Sequence, residues 1–313
     1  MECGRGVTVL PENGSDLTGS PLDVGPLSCR MAKNSQIEWT HHTFNPWWGC
    51  TKVSPACDNC YAELWARRVG QEIWGAGAPR RFFNDAHWRE PLVWNEEARL
   101  AGQRARVFCA SMADVFERRP ELKDQRSRLW ALIERTPWLD WLLLTKRPQN
   151  VASMAPWTDN WPTNVWLGTS VENQEYTERR LPLLLKHPAA VRFLSCEPLL
   201  GPLDLRGWFK REGLCQIDWV IAGGESGRRS RPMHPDWAVG LLRQCQEFGV
   251  PFHFKQWGHW VPAELLDRAE KPTLLRLRDE RPVEMVKVSK KLAGRVLEGT
   301  TWDSVPVAHL LHA

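Results

Sequence analysis

No run of eighteen apolar residues occurs anywhere in the sequence, so no segment reads as a bilayer-spanning helix. A basic start followed by an apolar stretch, the mark of a secretory leader, is missing too, and the expectation is a cytoplasmic protein whose thiols stay reduced. There is no Walker-type phosphate loop, no Rossmann glycine fingerprint and no Ser-His-Asp signature. A strong charge excess is also lacking. The 41 basic residues against 37 acidic ones leave +4, too little to imply nucleic-acid binding by itself. Tyrosine is nearly absent, at 2 residues against 19 tryptophans. Such rings can pack a core or stack on a base or sugar, and composition does not choose between these roles. Nine cysteines, an odd number unevenly placed, make a poor disulfide framework and give weight to metal or catalytic roles.

What is present is organised as one α/β chain. Its 313 residues suffice for one large core. Residues 1–35 are rich in Gly, Pro, Ser and Asp without an apolar period and read as a disordered extension. Met31 opens a segment that looks like a natural start. Short apolar runs follow at Ile37–Trp39, Val107–Ala110, Trp141–Leu144, Val165–Gly168, Val191–Ser195, Trp219–Ala222 and Phe252–Phe254, as buried parallel strands do. Helix-compatible stretches lie between them, most clearly Ala62–Trp74, Leu122–Arg135, Thr177–Lys186 and Asp236–Phe248. This alternation predicts a parallel (β/α) barrel, complete or partial and TIM-barrel-like, over residues 36–262. A doubly wound open sheet is the other architecture it allows. Residues 263–313 read as a C-terminal extension packed on the same domain.

Polar residues follow six of these strands. Asp114 comes after the second, Lys146 and Arg147 after the third, and Ser170 and Glu172 after the fourth. Glu197 follows the fifth, Gly223, Gly224 and Glu225 the sixth, and Lys255 and Gln256 the seventh. One such residue could merely mark an exit into solvent. Repeated at six strands, they predict a site at the C-terminal face, where barrels of this kind hold their chemistry.

The segment GCTKVSPACDNCYAE spaces Cys50, Cys57 and Cys60 as C-x6-C-x2-C. Two thiolates two residues apart can share a metal centre on a tight turn. Helical sequence follows, so Cys57 and Cys60 are expected at a helix N-terminus, where exposed N–H groups favour thiolate. Structural zinc would need a fourth ligand, for which His41, His42 and Cys109 are candidates. A packed trio of buried thiols is a second reading. A third is an iron–sulfur cluster held by three thiolates, with one iron open to another ligand. Farther on, Arg228, Arg229 and Arg231 lie among glycines and suit either an anion pocket or a solvated loop. Lys287, Lys290, Lys291 and Arg295 read as a solvated helix face, with contact to nucleic-acid phosphate as the alternative.

Several long motifs together resemble the phage gene-product 37/68 family of uncharacterised phage and prophage proteins. They are IEWTHHTFNPWWGCTKVSPACDNCYAE, LTKRP, NVWLGTSVENQ, RFLSCEPLLGPLDL, WVIAGGESGRRSRPMHPDW, FKQWG and KKLAGRVLEGTTWDSVP. The trio and the barrel-like alternation of that family are similar to radical S-adenosylmethionine (SAM) enzymes. The resemblance implies that Cys50, Cys57 and Cys60 ligate a [4Fe-4S] cluster whose open iron SAM chelates. Reductive cleavage would then give a 5′-deoxyadenosyl radical, with a flavodoxin or ferredoxin as electron donor. On the enzyme reading, the strand-end residues Asp114, Lys146, Glu172 and Glu197 are the expected catalytic groups, and Ser170, Gly223, Gly224, Glu225 and Arg228 the expected cofactor contacts. The substrate expected is a small molecule, a nucleotide or a nucleic acid. The spacing differs from the usual C-x3-C-x2-C, and Gly-Gly-Glu follows a late strand instead of an early one. The alternative is a zinc-stabilised, non-catalytic phage accessory protein that binds nucleic acid or protein.

Overall fold

Seven short strands pair side by side in the order in which they occur in the chain. They are β1 (His42–Thr43), β2 (Ala105–Cys109), β3 (Leu139–Thr145), β4 (Val165–Ser170), β5 (Val191–Cys196), β6 (Trp219–Gly223) and β7 (Phe252–Gln256). A computed structural model describes residues 37–211, 214–266, 273–277 and 281–306. The extension expected at 1–35 lies outside the described residues. All six neighbouring pairs are parallel. Because the order never reverses, right-handed crossovers carry every connection along the same side of the sheet. A doubly wound sheet would show a reversal at its switch point. The sheet curls instead into a half-barrel, a partial TIM-barrel-like fold, with β1 and β7 as its unjoined edges.

The helices that make the crossovers are α1 (Tyr61–Arg68), α2 (Asp85–Ala101), α3 (Lys123–Glu134), α4 (Gln174–Leu184) and α5 (Pro235–Phe248). Helix α5 starts at Pro235 behind a His234 cap and stops at Gly249 in the left-handed region, which glycine enters without a Cβ penalty. Helix α1 ends six residues before the expected Trp74. Gly70 turns the chain at positive φ, and Ile73 and Trp74 fold back onto Ala62 and Ala66. Helix α2 was not among the expected elements. Asn84 caps it by accepting from the His87 N–H, and Pro91 lies inside it, a residue that ordinarily argues against helix.

Side chains alternate across the strands, and the concave row carries the large rings. Trp39, Phe108, Trp166, Phe193 and Trp219 form one buried cluster with Leu142, Val191 and Ile221. Gly168 sits opposite Phe193 in the β4–β5 register. A Cβ on Gly168 would lie 2.4 Å from the Phe193 ring, so the missing side chain is what lets that ring lie across β4. Most of the tryptophan excess therefore serves packing.

Two expectations are corrected here. Ile37–Trp39 is a turn instead of the first strand. Thr40 N–H donates to the Ile37 carbonyl, and the Trp39 ring drops into the concave cluster. Pairing with β2 begins only at His42. The basic stretch Lys287–Arg295 is not a helix face either. It contains the end of a strand and a four-residue helix, Lys290–Ala293. That strand, β10 (Val283–Lys287), lies between β8 (Trp260–Pro262) and β9 (Thr273–Leu277) in a small antiparallel sheet. Beyond it, residues 302–305 return across β7. Phe254 N–H donates to the Trp302 carbonyl, Trp219 Nε1–H to the Ser304 carbonyl, and Val305 packs on the concave cluster. The described residues fall in one compact unit.

Candidate active site

The concave row changes character toward the C-terminal ends of the strands. The parity that places Leu142, Phe108 and Phe193 in the core continues to Leu144 and Lys146, to Ala110, and to Ser195 and Glu197. Ser170 and Lys255 complete the rim. Above the core lies a pocket open to solvent, with a cavity volume of about 140 Å³. Cys50, Cys57 and Cys60 all line it, as do Asp114, Lys146, Ser170 and Glu197.

The cysteine loop is held from two sides. Pro55–Cys57 forms a short 3-10 turn, and Cys60 is the cap residue before α1. Burial raises the Cys60 thiol, opposed by the backbone N–H groups of Glu63 and Ala62 and by Lys146. Burial also pushes Cys50 up to about 12, and Arg147 opposes this. The Arg147 guanidinium lies 3.6 Å from Cys50 Sγ, donates to the Thr51 carbonyl at 2.6 Å and pairs with Asp114 at 2.9 Å. Next to it, Glu117 takes a two-pronged pair from buried Arg80, which also donates to Thr51 Oγ1 and to the Ile73, Gly75, Ala78 and Pro79 carbonyls. This buried network fixes the Cys50 end.

Glu225 fixes the Cys57–Cys60 end. Its carboxylate accepts from Asn59 Nδ2 at 2.9 Å and from the Arg231 backbone and side chain. Arg231 in turn donates to the Pro55 carbonyl, and Asn59 to the Arg229 carbonyl. The loop after β6 is thus strapped to the cysteine loop.

Other expected site residues fall into distinct places. Lys146 Nζ donates to Ser170 Oγ at 3.1 Å, and Lys255 Nζ lies 3.3 Å from Glu197 Oε1, all facing the pocket. Asp114 lines the wall, but four donors fill its oxygens: the N–H groups of Phe116 and Lys146, Thr145 Oγ1 and Arg147. A carboxylate so engaged positions its neighbours and is poorly placed to take a proton. Glu172 is fully buried behind the rim and paired with Arg180 at 2.7 Å. Gly223, Gly224, Glu225 and Arg228 do not line the pocket. A Cβ on Gly224 would lie 2.0 Å from the Trp257 carbonyl, so backbone packing explains that glycine. Arg228 is exposed on the loop. Ser195, Arg80, Glu117 and Asn59 were not foreseen. Strand parity could have found Ser195. No pattern marks the other three, which lie in loops.

The candidate zinc ligands lie elsewhere. His42 is buried against Trp94, Cys109 is buried within β2, and His41 Nδ1 accepts from the Arg106 N–H. Among the described residues, no three His, Cys, Asp or Glu side chains converge closely enough to hold one metal ion.

No curated protein matches the chain. Among solved structures, a spore photoproduct lyase variant with bound AdoMet and dinucleoside spore photoproduct is similar at 13% identity and TM-score 0.41. That match covers 84% of this chain and 73% of the other. A second spore photoproduct lyase variant is similar at 14% identity and TM-score 0.42, over 80% and 70% of the two chains. A family model described as "Protein of unknown function (DUF5131)" matches residues 34–306. Since that match takes in the half-barrel, the cysteine loop and the C-terminal sheet, the chain belongs to this family.

Proposed function

We propose that this is a radical-SAM-like iron–sulfur enzyme, in the phage or prophage setting that the sequence motifs resemble. The observation that carries the reading is that the three cysteines share one pocket with the polar ends of the parallel strands. Cys50, Cys57 and Cys60 would hold a [4Fe-4S] cluster, and Lys146, Ser170, Glu197 and Lys255 would hold SAM and part of the substrate. When bound, the cluster supplies an electron for reductive cleavage of SAM.

The chain's own residues do the rest. Arg147 places a fixed positive charge beside Cys50, which favours thiolate in a buried site. The α1 N-terminus does the same for Cys60. Lys146, Lys255 and Glu197 present two ammonium groups and one carboxylate to the pocket, a set that suits the ammonium and carboxylate of an amino-acid moiety. The concave ring cluster seals the floor against water. A nucleotide or nucleic-acid substrate belongs to this reading, and a flavodoxin or ferredoxin would deliver the electron.

Anaerobic purification with iron, sulfide and zinc analysis tests it. The expected result is iron and sulfide near the cluster's stoichiometry, with a broad visible absorbance that Cys57→Ala loses. Adding SAM and dithionite should then release 5′-deoxyadenosine. Stoichiometric zinc that persists through reconstitution, with neither iron nor sulfide, would overturn the proposal.

A further inference from the structure

Helix α1 buries Ala62, Glu63 and Ala66 and turns Tyr61, Leu64, Trp65 and Val69 to solvent. That outward set recurs at i, i+3, i+4 and i+8, the spacing of a continuous stripe. Large rings are ordinarily spent in a core, as most of this chain's are. Trp65 is 46% exposed and Tyr61 52%, and Tyr61 also lines the pocket. Trp65 meets Trp48 edge to face at 5.3 Å, and Arg81 lies 4.6 Å over the Trp48 ring. At the other side of the stripe, Leu64 Cδ1 would lie 3.6 Å from a Cβ on Gly227. The stripe therefore abuts the loop that carries exposed Arg228 and Arg229.

This rim is positive. Lys287 reaches the same loop, with its Nζ on the Arg228 carbonyl. Burial together with Lys287 and Lys290 holds His259 below the usual histidine range. Of the acids nearby, Glu72 is exposed and two others are engaged. Glu63 is buried between Lys52 and Arg67, and Asp58 faces Arg231. Arg228 and Arg229 make no side-chain ion pair among the described residues. Half-exposed rings interleaved with cations, leading into a pocket, are what an unpaired nucleic-acid strand requires. Bases stack on the rings and phosphates meet the cations. A duplex hides the base faces.

We infer that the α1 stripe and the Arg228–Arg229 loop form a docking surface for single-stranded nucleic acid, which feeds one base toward the pocket. That the strand is the substrate rests on the pocket being the reaction site. The docking itself does not, and cluster-free protein tests it.

The experiment is fluorescence anisotropy of a labelled oligothymidylate 20-mer titrated with the full chain, across a salt series. Binding should weaken as salt rises, with a slope of about −0.7 per phosphate contacted. Trp65→Ala should weaken binding roughly tenfold, the effect of losing one stacked base, and Trp65→Phe should restore most of it. Arg228→Ala with Arg229→Ala should lower the slope by about 1.4. Arg228 and Arg229 are exposed, so thermal unfolding of their double variant should not move, while Trp65→Ala, which loses the Trp48 edge contact, should lower it slightly and is controlled by Trp65→Phe. No binding at low salt, tighter binding to a duplex than to the single strand, or indifference to both sets of variants overturns the inference. So does binding of an acidic flavodoxin that Trp65→Ala abolishes while the oligonucleotide stays unbound, which assigns the surface to a protein partner. Oligonucleotide binding without SAM cleavage would sink the enzyme reading and leave the docking surface standing.

Discussion

Individual carboxylates at this site do different work from what their positions at strand ends suggest. Glu225 follows β6, where a cofactor contact is a natural expectation, yet its oxygens are spent on Asn59 and Arg231. Because Arg231 also holds the Pro55 carbonyl, Glu225 acts on the cysteines at one remove. Glu225→Gln keeps the shape and removes the charge that two donors share. Its expected cost is about 2–3 kcal/mol, since hydrogen bonds to a buried charged group are worth about 1.5–3 kcal/mol and a partner is left behind. Urea denaturation should show this as a lower midpoint with the same slope. The cysteine loop should also retain iron less well on gel filtration. An unchanged midpoint would mean that the strap carries no load. Glu197 differs in kind, since its pairing with Lys255 faces the pocket. The two glutamates are indistinguishable in the sequence, each standing one or two residues past a strand. Only the loop that folds over Glu225 separates them.

Elements were easier to read than residues, for a physical reason. Buried parallel strands are short apolar runs, and six of the seven expected here coincide with observed strands. Their period of two also determines which residues share the concave face. Leu142, Leu144 and Lys146 belong to one row, and the site could be read by following it. What escaped has equally definite causes. Helix α2 carries an interior proline, Ile37–Trp39 imitates a strand because a core plug and a strand need the same residue types, and Arg80 and Glu117 meet only through loops. Gly168 was invisible as well, because its requirement comes from a neighbour in space. The Phe193 ring occupies the volume that a β4 side chain would take. Gly168→Ala should therefore cost about 1–3 kcal/mol as overpacking. Made in a Phe193→Leu background, the same change should cost much less. A coupling of at least about 0.5 kcal/mol in that double-mutant cycle is the expected result, read from urea midpoints. Additive losses would place the strain elsewhere.

At the scale of the whole molecule, a half-barrel has two unjoined edges, and both carry a buried histidine. His42 lies in β1 against Trp94, and His253 lies in β7 beneath residues 295–303. Each is nearly inaccessible, and neither Nδ1 has a hydrogen-bond partner among the described residues. Burial lowers His42 to about 4. Burial lowers His253 to about 4 too, with Arg295, Lys255 and Arg106 assisting and Asp303 opposing. The unfolded chain titrates its histidines near 6.5. Between about pH 6.5 and 4 the unfolded state thus binds more protons than the folded one, and stability rises with pH. The contribution is complete above the unfolded value and is lost as pH falls toward 4. A drop of that size is worth up to about 3 kcal/mol for each histidine. The edges are also where the chain closes its open seam, through Trp39 at one side and the Trp302 and Ser304 carbonyls at the other. Acidification should loosen these closures before it reaches β4 and β5. Urea unfolding at intervals from pH 7 to 4 should show a falling midpoint, and His253→Gln should flatten the slope by about one proton. Hydrogen exchange at pH 5 should open the amides of β7 and of residues 302–305 first. Uniform opening across the sheet would show that the edges are not the acid-labile part.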